Sequence, residues 1–186
     1  MSMKDIMGLA GLISIYPMHN FWRSIKYPLL IDFCLLLIVL IFKADIYCQI
    51  KFLTETIMSV VPNVLGFILT GYTVIISVTE SKYLKLMVKP LPSKHITLYQ
   101  TVNSTFAFVL ITLCVTLLIG FISNYVVKAD LKIIDCLSGC VDIINSTFLF
   151  VLIFLFLYSI FAIKDVVINV FNFGQFINQV EYKSNS

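Results

Sequence analysis

Four apolar runs constrain this chain more than any other feature: residues 27–42, 57–78, 106–127 and 143–163. Three of them hold 21 or 22 residues, matching the roughly 20 needed to cross about 30 Å of hydrocarbon at about 1.5 Å per residue. The first has 16 and contains Asp32; Lys43 just beyond it can snorkel, and a locally thin bilayer accommodates it. In lipid only helices and closed barrels satisfy their own backbone, and these runs lack the period-2 alternation of a barrel strand. With 60% of the 186 residues hydrophobic and 12% charged, a soluble fold of this size cannot hide the apolar surface. The expected fold is all-α: a single polytopic membrane domain of four transmembrane helices, with an N-terminal interfacial helix and a cytoplasmic extension of the fourth helix.

Residues 1–26 form the interfacial segment in this reading. The stretch resembles a signal peptide, but it has the charge pair Lys4 and Asp5, no A-x-A site, and Pro17 behind it, so retention is expected. Trp22, Arg23, Lys26 and Tyr27 supply the aromatic and basic residues of a membrane boundary. Four spans put both termini and the middle loop on one side. That side carries Lys4, Arg23, Lys26, Lys82, Lys85, Lys89, Lys94, Lys164 and Lys183, against Lys43, Lys51, Lys128 and Lys132 on the other. The excess predicts cytoplasmic termini.

The basic loop, 79–101, reads as a continuation of the second helix, a turn at Lys89-Pro90-Leu91-Pro92, and a new helix capped by Ser93. Its Lys82, Lys85, Lys89 and Lys94 suit either anionic lipid headgroups, at about 1 kcal/mol each, or a docking partner. Beyond 163 the fourth helix is expected to run on through the tail, 164–186, to about Val180. That helix would be about 57 Å long and would project about 25 Å from the membrane. Val166, Val170, Phe173 and Ile177 then need cover, from other subunits or from a soluble partner.

The second span carries the most regular pattern. Thr56, Ser59, Asn63, Gly66, Thr70, Thr73 and Ser77 follow one another at alternating intervals of 3 and 4, which keeps seven small or polar side chains in one stripe. Such faces let helices pack closely in lipid; a stripe containing Asn63 can also line a hydrated pore. The third span has a similar face of Thr101, Thr105, Thr112, Thr116, Gly120 and Ser123, and the simplest expectation is that the two seams meet. The fourth shows no seam, and its Phe148, Phe150, Phe154, Phe156 and Phe161 read as a lipid-facing or intersubunit surface. Pro62 inside the second helix predicts a fixed kink, with Ser59 or Thr56 serving the freed carbonyl.

Asp32, the one acid inside a predicted span, is expected to pair with Lys164 at similar depth and join two helices. Cys48 can form a disulfide with Cys136 or Cys140, or all three can remain thiols. No enzymatic constellation is present: His19 and His95 stand alone, no carboxylates are paired, and Gly66 and Gly71 form no phosphate loop. No catalytic residue, metal or cofactor is expected.

The run from Pro62 to Ser77, PNVLGFILTGYTVIIS, together with the four-span layout and the tail, resembles the membrane subunits of Kiwa anti-phage defence systems. The resemblance implies a homo-oligomer, a tetramer, in a bacterial inner membrane, responding to phage attack at the envelope. It further implies a cytosolic DNA-binding partner held at the membrane, with no nucleic acid touched by the chain itself. The function expected is a non-enzymatic sensor and scaffold. The alternative is an oligomeric ion channel or depolarising effector lined by Asn63, Thr70 and Thr73.

Overall fold

The computed structural model describes residues 8–16, 18–78, 81–88, 96–129 and 141–185. Among these residues lie six helices: α1 (Gly8–Ile15), α2 (Met18–Ile41), α3 (Ile46–Val78), α4 (Ser81–Met87), α5 (Leu98–Lys128) and α6 (Val141–Asn185). Four of them, α2, α3, α5 and α6, are long and apolar enough to cross a membrane. The architecture is therefore all-helical, as the apolar runs require, but each long helix exceeds the run that predicted it. Hydropathy marks only the stretch that suits lipid; a helix ends where its backbone is capped.

The caps are visible. At the end of α2, Ala44 N–H donates to Val39 O at 3.0 Å and Lys43 N–H to Leu40 O at 3.2 Å, the two bonds of a Schellman closure. Lys43 adopts the left-handed backbone that this closure needs, with φ 49°. Asp45 opens α3, its Oδ1 accepting from Tyr47 N–H at 2.9 Å, so α3 starts eleven residues before the predicted span. At α5 the expected Ser93 cap lies outside the described residues, and Thr97 does the work instead. Gln100 N–H donates to Thr97 Oγ1 at 3.1 Å, and Thr97 N–H donates to Gln100 Oε1 at 3.0 Å, a reciprocal capping box. Tyr16 closes α1 by donating its N–H to Leu12 O at 2.8 Å, and Pro17 next in sequence disfavours further helix there. Past residue 78 the predicted continuation of α3 is a separate short helix, α4.

The chain divides into two compact units. One comprises residues 22–65 and 112–161. Its core gathers Ile50, Ile57 and Val61 from α3, Leu113 from α5 and Leu149, Leu152 and Ile153 from α6, with Asp32 of α2 fully enclosed. The other comprises residues 1–21, 66–111 and 162–186. Here α1, α4, the later turns of α3, the early turns of α5 and the last half of α6 bury Tyr16, Ile68, Met87, Val102, Phe106, Val109, Val166 and Phe173. Tyr16 stacks on Phe108 with ring centroids 4.2 Å apart, and Tyr83 of α4 donates its hydroxyl to Glu181 near the end of α6.

Candidate assembly face on the third helix

In the first unit α3 packs through one face only. Ile50, Thr54, Ile57 and Val61 are buried there, at the 3- and 4-residue spacing of a single stripe. The stripe of Thr56, Ser59, Asn63, Gly66, Thr70, Thr73 and Ser77 lies about 180° away around the helix, counting 3.6 residues per turn. Thr56 is half-buried and the other six are exposed. Only 11% of the α3 window is buried, against 33% for α5 and α6, so the helix with the most regular polar pattern is the barest of the four.

The polar groups of this face are turned back on their own helix. Thr56 donates to Phe52 O at 2.9 Å, Ser59 to Thr56 O at 3.0 Å, Thr70 to Gly66 O at 2.8 Å, Thr73 to Thr70 O at 2.8 Å and Ser77 to Thr73 O at 2.7 Å. Asn63 donates from Nδ2 to Ser59 O at 2.7 Å. These bonds let hydroxyls face an apolar medium without orphaned donors. They also mean that Ser59 and Thr56 do not serve the carbonyl that Pro62 frees, contrary to expectation: hydroxyl protons go to Thr56 O and Phe52 O instead. The Oδ1 of Asn63 has no partner among the described residues. It lies inside the 46–77 apolar window and inside the 57–78 run, where an amide without a partner is costly in lipid.

The two small-residue seams do not meet. The third-span face is buried at Thr105, Thr116, Gly120 and Ser123, but it serves other partners. Thr116 Oγ1 lies 2.7 Å from Ser159 Oγ on α6, one hydroxyl donating to the other, and the one that accepts turns its own proton one turn back, to Thr112 O or Leu155 O. Gly120 receives Ile57, a large residue from the packed face of α3 rather than its stripe. The physical reason is volume: an apolar Ile entering a glycine notch gains more contact than two rows of small, self-satisfied hydroxyls. Ser159 was missed by sequence because a lone serine among phenylalanines makes no seam. Nor do the fourth-span aromatics all face outward; Phe154 stacks with Tyr158, centroids 5.9 Å apart, and Tyr158 is buried.

Asp32 is fully buried, and both carboxylate oxygens lack a hydrogen-bond partner. The expected pair with Lys164 is not formed. The acid near Lys164 is its sequence neighbour Asp165, with Nζ to Oδ1 3.8 Å and the Lys164 side chain 53% exposed. Asp165 in turn acts on Tyr16: burial and that negative charge together push the Tyr16 hydroxyl up to about 12. Cys48 carries a thiol, as do Cys34 and Cys114; Cys136 and Cys140 lie outside the described residues.

On the tail, Val166 and Phe173 are buried inside their own unit, which removes them from the surface a partner can reach. Val170 is exposed and Ile177 half-buried. Bare apolar surface on the tail runs from the expected Val170 to its neighbours Val167, Phe171 and Tyr182, which do not share the spacing of the expected set. Lys85 is exposed on α4; the side chains of Lys82, Lys89 and Lys94 lie outside the described part. No family model, curated protein or solved structure matches the chain.

Proposed function

We propose that this chain is a non-enzymatic membrane subunit that assembles with copies of itself through the exposed face of α3 and holds a soluble partner at the cytoplasmic face. The observation that carries this reading is Asn63, exposed within the apolar run on a stripe of small residues opposite the packed face of α3, with its amide oxygen without a partner among the described residues. Lipid offers that oxygen nothing, whereas a second helix brought close by Gly66 and the neighbouring hydroxyls can donate to it. Both termini are assigned to the cytoplasm on the lysine and arginine count. The resemblance of the 62–77 run to Kiwa membrane subunits extends the proposal to a bacterial inner membrane, envelope sensing of phage, a tetramer and a DNA-binding partner.

Disulfide cross-linking in membranes tests the assembly face, using a chain whose native cysteines are replaced by serine. Cysteine at Ser59, Asn63 or Thr70 yields a cross-linked dimer, while cysteine at Leu69, exposed but about a quarter-turn away, yields little. Cross-linking at Leu69 equal to that at Thr70, or none at the stripe, rejects the proposal. If copies surround an axis with α3 innermost, Asn63, Thr70 and Thr73 line a pore. Ion flux through purified protein in liposomes that is abolished by Thr70→Phe then favours the channel reading over the scaffold.

A further inference from the structure

Between α1 and the first turns of α5, inside one unit, lies an open groove of about 550 Å³. Leu9 and Leu12 form one wall, and Gln100, Asn103, Ala107 and Ile111 the other. Its polarity is graded. Gln100 and Asn103 stand near the start of α5, while Ala107 and Ile111 continue the same face deeper along the helix. From Gln100 to Ile111 is about 16 Å at 1.5 Å per residue, close to half the ~30 Å hydrocarbon core and so to one leaflet.

The polar end presents donors. Gln100 spends its Oε1 on Thr97 N–H, and Asn103 Oδ1 accepts the Tyr72 hydroxyl. The NH2 of each amide has no partner among the described residues. Among the described residues no lysine or arginine lines the groove. Two amide donors above an apolar channel match uncharged ester oxygens with a hydrocarbon tail better than a bare anion, which would call for a cation. The opposite wall belongs to α1, whose eight residues, GLAGLISI, carry no charge and leave Leu9 66% and Ile13 60% exposed. An uncharged apolar helix with that surface suits the membrane interface, where lipid covers it.

We infer that this groove seats one acyl chain of a membrane phospholipid, its ester oxygens at Gln100 and Asn103 and its tail along Leu12, Ala107 and Ile111. The site is independent of the α3 face. Its test is native mass spectrometry of the full chain after reconstitution in vesicles of phosphatidylethanolamine and phosphatidylglycerol in equal parts, then exchange into mild detergent. The wild type retains one phospholipid per chain. Ala107→Trp, and separately Leu12→Trp, fill the groove from opposite walls and lower retention at least about tenfold. Leu118→Trp, on an exposed part of α5 outside the groove, retains it. Should one groove variant fail to fold by its thermal midpoint, the other reads alone. A wild type without retained phospholipid, equal retention in the tryptophan variants, or retention of a second copy of the chain in place of lipid overturns the inference.

Discussion

Gly120 shows how much one missing side chain can fix. A Cβ built there would collide with Ile57 Cγ2 and lie 3.3 Å from Ile57 Cβ, and Ile57 is fully buried. A β-branched side chain in a helix has one strongly preferred rotamer, so Ile57 cannot swing aside. Gly120→Ala is expected to destabilise by about 1–3 kcal/mol through overpacking, read as a lower thermal midpoint in detergent. In an Ile57→Ala background the same change should be close to neutral. Additive losses in the double variant would mean the notch is not what holds the two helices. The spacing Thr116-x-x-x-Gly120 announced a close approach, and a close approach occurs. Which helix arrives was not legible, because a small-residue pair offers room without naming its guest. Asp32 teaches the same point from the other side: its place in an apolar run marks it as a costly acid, but not that both its oxygens go without a partner while Lys164 stands beside its own neighbour Asp165.

Helix existence follows from the apolar runs, because a backbone in lipid has no other way to satisfy itself. Helix ends follow from a few polar residues that a hydropathy reading skips. Asp45 starts α3 well upstream of residue 57, and Thr97 with Gln100 starts α5 at a T-x-x-Q signature present in the sequence but passed over for Ser93. Thr97→Val is expected to cost about 1 kcal/mol, whereas Thr97→Ser keeps the hydroxyl and most of the stability. Thermal unfolding of the two variants in the same micelles checks this, and an unchanged midpoint for Thr97→Val would show that α5 does not depend on the box. The α3 stripe was fully legible as a pattern. Its meeting with the α5 seam was not legible, because periodicity says which residues share a face and not whether this chain covers that face or leaves it bare. With its hydroxyls bonded to α3 itself, the stripe gains nothing from the α5 seam that Ile57 does not gain better.

At the scale of the whole molecule the decisive quantity is length. The apolar window of α6 runs 40 residues, about 60 Å at 1.5 Å per residue; even a 40° tilt leaves about 46 Å, well beyond a ~30 Å core. Part of an apolar helix therefore stands outside hydrocarbon. Its own unit covers Val166 and Phe173, and Tyr83 anchors Glu181 near its end, so deleting the whole tail would remove core as well as surface. The exposed stripe can be changed alone. Val167 is 60% and Phe171 63% exposed, one turn apart on the same face, and an uncovered apolar stripe of this kind favours a protein contact. Val167→Glu with Phe171→Glu is expected to leave membrane insertion, thermal midpoint and self-assembly unchanged while abolishing co-purification of the soluble partner proposed above. Leu at Asn63 and Thr70 together should do the converse, lowering the stoichiometry seen by native mass spectrometry while each chain still binds its partner. Loss of self-assembly in the Val167 and Phe171 variant would instead make the tail part of the oligomer. The two surfaces would then be one, with α6 and not a soluble protein covering the apolar excess.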